Sequence, residues 1–579
     1  MNPFASYRLL ITPLSPIHVG TGESYEPTNY VIEDGVLHEF DTGAAMSAMT
    51  QADRDALLGI TNRAPNTEMI KALQQFFHER RRPLMAHAIA RVPVLSGVAN
   101  LYANRVGQAA NREANGGQVL NRLEIDRTSF NTITRLPVLY GSSMKGAIRT
   151  ALLDGLNGGA ALQKVEDRRT KRWRDENNQE LQQRLFQYQA GKFELDPLRL
   201  VQLADAAWTG ESGLPAAQVH LAVNRKKEIV KDKQGVIRKS QAETQELYQI
   251  LECVSGWRYR AFTGQINLQS VADLDEKDRR GSRQLPAVPF RFDVVQIANA
   301  CNDFYIPILN GENKLMRDRG LLDPGWDKAI QQIFVTARER LKRGEAFLLR
   351  VGRHSGAESV TLNGVRNIRI MKGRGQPPEF LEEAKTLWLA ADEKDQTSKL
   401  LPFGWLLVEL QPFNAPATDW PELQSTCEPF LVFARSFAGK LAAQQSRLAQ
   451  ARVEAEAKRH DEEELTRFAA EAAAQRQREE GERQARMETM TENLRRVEDF
   501  KTAFAERHTQ LRGKFDRQNT DYHDRARKLA KDALEGADWT PEEKHAAATA
   551  IGEWLPKVVE RIDKDQLKKL KLNALRGQA

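Results

Sequence analysis

Over the first 440 residues, apolar positions fall in short runs. Their spacing shifts between the two-residue period of strands and the three-to-four-residue period of helices. Residues 7–14 are rich in branched side chains and read as a strand, followed by a glycine turn at Gly20 and Gly22. Residues 29–32 and 36–40 flank Glu33-Asp34-Gly35, and Asp-Gly between two apolar runs predicts a hairpin. Residues 55–60 and 66–80 read as helices, and 119–130 as strand or loop. A short apolar run at 136–140 leads into a turn, Gly141-Ser142-Ser143. Met144, Ala147, Ile148, Ala151, Leu152 and Leu156 then recur at helical spacing. A polar helix is expected over 168–189. Residues 198–203 and 218–224 look extended, and 248–254 with 259–268 reads as a strand pair around Ser255-Gly256. Residues 324–342 read as helix. Residues 346–351 and 360–369 bracket a Gly/Ser turn, and 406–410 forms a last strand. Such interleaving predicts an α+β body with two related sheets.

Near residue 440 the pattern changes. Ala, Glu, Gln and Arg dominate, and proline occurs only at Pro541 and Pro556. Residues 441–535 predict a nearly uninterrupted helical stretch in which Leu441, Leu448, Val453, Leu465, Phe468, Val497, Phe500 and Phe504 are among the apolar positions. About 60 helical residues span about 90 Å. The pattern fits an extended helical hairpin or coiled coil with a solvated face, and leaves open an arm that contacts nucleic acid or a partner. Gly481 is an expected break. Thr540-Pro541-Glu542-Glu543 predicts a capped helix start, and 565–575 a final basic helix. The expected divisions are 1–260, 261–440, a helical extension at 441–535, and a small helical unit at 536–579.

Composition narrows the class. The chain has 579 residues, a prior of roughly three or four domains. Hydrophobic residues make up 41%, charged residues 28%, and the mean hydropathy is −0.56, as in soluble proteins. Net charge is +7, from 85 basic and 78 acidic side chains, so any surface for an acidic partner must be local. Cys253, Cys301 and Cys427 are odd in number and far apart. They argue against a disulfide framework or a zinc-thiolate site and fit a reducing cytoplasm. Neither a signal peptide nor an 18-residue apolar span is found, so no membrane association is expected. Metalloprotease, hydrolase, kinase and dinucleotide fingerprints are missing, so no catalytic residue, cofactor or metal is expected.

The segment from Leu136 to Arg149 carries the most chemistry. A glycine turn feeds a helix N-terminus, where free amides and the helix dipole favour an anion. Ser142 and Ser143 can cap the helix or donate to phosphate, and Lys145 and Arg149 lie four apart on one face. No acidic residue occurs between 127 and 153, so the cations look locally unopposed. The Gly-x4-Gly-Lys spacing of a P-loop is absent, and an isolated strand–turn–helix is structural more often than not. This segment, LPVLYGSSMKGAIR, closely resembles the glycine-rich signature of the RAMP superfamily, with Tyr140 where that pattern has proline. LLITPLSPIHVGTG (9–22), PLRLVQLADA (197–206), ECVSGWRYRAFTGQINL (252–268), RVGRHSGAESV (350–360) and Phe403-Gly404-Trp405 resemble, in order, the type III-A CRISPR Csm subunits that cap the guide. The resemblance covers about residues 5–410.

That resemblance implies two ferredoxin-like, RRM-related RAMP domains with insertions, and a non-catalytic subunit that caps the 3′ part of the guide (crRNA). It also implies contact with backbone RAMP subunits and small subunits, and guide maturation and antiviral defence aided partly by host nucleases. A variable guide must be held by phosphate, ribose and shape rather than base edges. Arg353 and His354 form a second candidate loop, whose bland reading is an exposed polar turn. Arg168, Arg169, Lys171, Arg172 and Arg174 surround Trp173, a possible stacking platform beside cations or simply a solvated face. A second basic run extends from Arg225 through Lys231 and Lys233 to Arg238 and Lys239. His18, beside Gly20 and Gly22, is a structural hydrogen-bonding residue, an RNA contact, or the general base of a metal-independent endoribonuclease that processes CRISPR transcripts.

Overall fold

The opening strand, Phe4–Pro13, lies inside a seven-stranded sheet of the computed structural model. It pairs antiparallel with Phe262–Gln269 on one side (Tyr7 opposite Ile266) and with Trp405–Pro412 on the other (Leu9 opposite Leu410). Ala346–Arg350 extends the sheet past Trp405–Pro412, while Ala206–Trp208 and then Val138–Leu139 extend it past Phe262–Gln269. Strands from before and after residue 260 are therefore sheet neighbours. A second sheet of six strands runs in the order Gly20–Tyr25, Ile125–Thr128, Glu243–Val254, Ala217–Lys226, Thr386–Ala391, Leu401–Pro402. One apolar core joins the two through Leu9 and Ile11, Val219 and Leu221, and helix Val294–Asp318 with its buried Cys301, Phe304 and Tyr305. The structure describes residues 4–112, 118–120, 123–167, 169–228, 233–235, 243–271, 285–372 and 375–578.

Local chemistry explains the elements read correctly. The Asp34-Gly35 hairpin joins Tyr30–Glu33 to Val36–Phe40, with φ of 52° and 74° at the two turn residues. Helix Gly141–Asn157 buries Met144, Ala147, Ile148, Ala151 and Leu152 and ends at Gly158 in the left-handed region. Elsewhere the structure corrects the sequence. The polar helix expected over 168–189 is a hairpin, Lys164–Glu166 with Trp173–Asp175, followed by helix Asn178–Phe186. Asn177 and Glu180 form a capping box that starts this helix late. Residues 248–254 and 259–268 do not pair with each other: Trp257 and Arg260, at φ of 58° and 46°, redirect the chain from one sheet to the other. Residues 197–200 form a 3-10 turn, and 360–369 contributes only the short strand Ile368–Ile370.

Two units divide the chain, Met1–Val453 and Glu454–Ala579. Helix Leu431–Thr489 runs across that boundary for 59 residues, about 90 Å. Gly481 lies inside it without breaking it, because one glycine costs only about 1 kcal/mol against helix-forming neighbours. The break comes at Met490, after which the Thr491 side chain caps helix Glu492–Leu511. Val453, Leu465 and Phe468 are exposed, and i,i+4 pairs such as Arg459–Glu463 and Arg467–Glu471 (both 3.7 Å) line the helix. In the second unit Val497, Phe500 and Phe504 pack with Ala526, Ala530, Ile551 and Leu555. Thr540 and Glu543 form the expected capping box, while the expected last helix is two, Lys564–Lys569 and Leu572–Leu575, parted at Lys571. Among the described residues no helix is long and apolar enough to cross a membrane.

Candidate nucleic-acid interface

Gly141 is a packing requirement before it is a phosphate site. A Cβ there would overlap the Leu203 carbonyl oxygen and lie 2.9 Å from the Ala204 carbonyl carbon. Its amide, the first of the helix, donates to Asp205 Oδ1 at 2.7 Å, and the Ser143 amide turns back to the Tyr140 carbonyl at 3.0 Å. Arg149 is paired with Asp196, donates to Gln182 at 3.0 Å, and lies over the Phe186 and Tyr188 rings. The helix start is therefore not unopposed: Asp205 and Asp196, remote in sequence, supply the acid that residues 127–153 lack. Ser142 stays exposed and Lys145 half-buried, with no ion pair for Lys145 among the described residues. Burial lowers the Lys145 pKa, against the pull of Asp196. At i and i+3, Ser142 and Lys145 share one helix face.

The His18 and Arg353 loops meet. The Arg353 amide donates to the His18 carbonyl at 2.8 Å, and a Cβ on Gly352 (φ 83°) would overlap that oxygen. The row continues through Ser129 N to Val19 O (2.7 Å) and Val138 N to Ser129 O (3.0 Å), three residues from Gly141. Glycine loops far apart in sequence thus line consecutive segments. Gly22, at φ 84°, has open space around it, while Gly20 abuts His18 Nε2.

His18 itself is buried, 1% exposed, with Nδ1 2.7 Å from the Glu252 carbonyl oxygen and no partner for Nε2 among the described residues. Burial lowers its pKa. Arg353 is half-exposed and paired with Asp126. His354, at φ 65°, stacks on Trp388 at 4.6 Å and meets Gln249 Oε1 at 2.9 Å; burial pulls its pKa down to about 3, so it offers phosphate no charge. Sequence reading missed Glu252. Its buried carboxyl takes hydrogen bonds from the Tyr25 hydroxyl (3.0 Å) and the Thr128 amide (3.2 Å), and burial pushes its pKa up to about 7. Only its apolar neighbours in a strand pattern hinted at a buried acid.

The Trp173 hairpin is open by contrast. Trp173 is 71% exposed and Arg172 is exposed, while Arg174 is held by Glu180 at 2.7 and 2.8 Å. The basic run beginning at Arg225 is partly structural: Arg225 donates to the Lys394 and Gln396 carbonyls, and Lys227 pairs with Glu358 at 2.7 Å. Arg168, Lys231, Arg238 and Lys239 lie outside the described residues. Among the described residues no three His, Cys, Asp or Glu side chains cluster as metal ligands.

Residues 10–277 match the model of the RAMP superfamily. Among solved structures, a chain of a Csm–crRNA–target RNA ternary complex of a type III-A CRISPR-Cas system is 16% identical, with a TM-score of 0.39, and covers 70% of this chain and 100% of that one. Csm5 of T. onnurineus is 14% identical, with a TM-score of 0.34, covering 68% and 99%. Likeness at this level carries no argument about function. No curated protein matches. The chain thus carries a RAMP superfamily domain, which takes in the His18 and Gly141 loops and the Trp173 hairpin but not the Arg353 loop.

Proposed function

We propose that this chain is a non-catalytic RNA-binding subunit of a type III CRISPR effector complex that caps the 3′ part of the guide RNA. The observation that supports this most is the backbone row joining the Arg353, His18 and Gly141 loops within and beside the RAMP domain. Ser142, Ser143, Lys145, Gly20, Gly22 and Arg353 along that row offer hydroxyls, cations and closely approachable backbone, which suit phosphate and ribose rather than base edges. Arg172 and Trp173 add an exposed cation and ring for stacking. His18 supports the row from beneath, since its ring is buried against Glu252. Backbone RAMP subunits, small subunits and recruited host nucleases are the partners this role calls for.

Fluorescence anisotropy with two unrelated single-stranded RNAs of about 20 nucleotides tests the reading. Both should bind alike, and log K should fall with log salt by about 0.7 per phosphate contacted. Ser142→Asp with Lys145→Glu should weaken binding about tenfold. Wild-type affinity in that double variant would end the assignment of the Gly141 loop. RNA cutting that disappears in His18→Ala would replace a binding subunit with an endoribonuclease.

A further inference from the structure

In the second unit, the loop between helices Glu492–Leu511 and Asp521–Glu535 leaves one aromatic ring in solvent. Phe515 is 53% exposed, although the loop around it is closely held. Asp516, its neighbour, accepts two hydrogen bonds from the Arg507 guanidinium, at 2.9 and 2.7 Å. The Asp516 amide donates to the Val558 carbonyl at 2.8 Å, and the Glu560 amide donates back to the Asp516 carbonyl at 2.9 Å. The Gln518 side-chain nitrogen reaches the Arg561 carbonyl at 2.9 Å. Arg512 and Arg561, at φ of 46° and 56°, hold left-handed backbone without being glycine, a conformation that persists only where the surroundings enforce it. The exposure of the ring is therefore built into the loop.

Cations surround that ring. Arg512 and Lys514 precede it, Arg517 follows it, and Arg561 joins them through the Gln518 contact. All four are exposed and have no ion pair among the described residues. Elsewhere in the unit arginines do find acids, as Arg496 does with Asp532 and Arg525 with Asp521. Near the loop Asp516 is already neutralised by Arg507, which leaves Glu560 and Asp563, the latter capping the next helix. A lone exposed phenylalanine is ordinary. This one stands among unpaired cations, and no second large apolar side chain is exposed between residues 492 and 579 among the described residues. A protein interface needs an apolar patch inside a polar rim. A single nucleic-acid strand needs only a ring for an unpaired base and cations for the phosphates beside it.

We propose that the Phe515 loop is a further binding site for single-stranded nucleic acid, in which a base stacks on Phe515 while Arg512, Lys514, Arg517 and Arg561 take the flanking phosphates. The site gives the second unit a role that the RAMP domain does not supply. It stands whether or not the Gly141 loop binds RNA. RNA and DNA strands share this chemistry, and the experiment separates them.

Fluorescence anisotropy of the full chain decides, in a background carrying Ser142→Asp and Lys145→Glu so that the Gly141 loop contributes little. An unstructured single strand of mixed sequence should still bind, and Phe515→Ala should weaken it about tenfold. Phe515→Trp, which keeps a ring, should bind within about twofold of the background chain. Arg512→Ser with Lys514→Ser should lower the salt slope by about 1.4, two contacts at about 0.7 each. These side chains lie in solvent, so the melting curves should not move. Matched RNA and DNA strands separate the sources: the tighter binder names the ligand, and equal affinity means that the site takes base and phosphate without reading the 2′-hydroxyl. A duplex that binds as well as the single strand would overturn the site, because paired bases cannot lie on the ring. Polyglutamate that competes as well as the strand would overturn it in favour of an acidic protein. Unchanged affinity in a folded Phe515→Ala chain would also end it.

Discussion

The Gly141 helix start and the Trp173 hairpin lie about 30 residues apart in sequence, and both look cationic and RNA-ready in it. In the structure they differ in kind. At Gly141 the chain's own acids have claimed the first amide and Arg149, and glycine is needed so that the helix can press against the Leu203 carbonyl. At the hairpin, Trp173 and Arg172 stand in solvent, and Arg172 has no ion pair among the described residues. A glycine-rich signature can therefore record a packing constraint first, with ligand contact confined to the few groups left free, here Ser142 and Lys145.

Mutation can break or sharpen that contrast. Arg149→Glu should cost the most, about 2–3 kcal/mol, since it sets a second carboxylate against the part-buried Asp196. It should also lower the midpoint of the thermal unfolding transition, so it cannot serve as a clean RNA-binding variant. Gly141→Ala should cost about 1–3 kcal/mol by overpacking against Leu203, read as a shift of the same transition. Were it neutral in stability but defective in RNA binding, glycine would be there for the ligand after all. Trp173→Ala should leave stability within about 0.5 kcal/mol and weaken RNA binding by about 1–2 kcal/mol in anisotropy. Smallest of all, Arg353→Ala should change stability by less than about 1 kcal/mol, because its pair with Asp126 is solvent-screened. In anisotropy it should lower the salt slope of RNA binding by about one contact.

What could be read from sequence was what local chemistry decides. The Asp34-Gly35 hairpin, the helix from Met144 onward and the Thr540–Glu543 cap each follow from residues within a few positions of one another. The RAMP segments were legible as motifs, yet their physics was not. Asp196 and Asp205 reach the Gly141 helix from about 50 and 60 residues away, and no spacing rule announces them. Trp257 and Arg260 adopt left-handed backbone without glycine, so the switch between sheets looked like an ordinary hairpin. Gly481 misled in the opposite sense, because a strong helical context absorbs a single glycine. Least visible beforehand near these loops was Glu252, an acid whose role depends on burial and on partners in other strands.

The placement of Phe4–Pro13 between Phe262–Gln269 and Trp405–Pro412 also sets a clock on biogenesis. This early strand has no complete seat until the strand ending at residue 412 has left the ribosome. At about 5–20 residues per second, that is a wait of roughly 20–80 s. Until then Leu9, Leu10 and Ile11 present at least one unpaired apolar edge. Pairings of such long sequence separation also close slowly, so a nascent chain of this protein needs shielding for most of its synthesis.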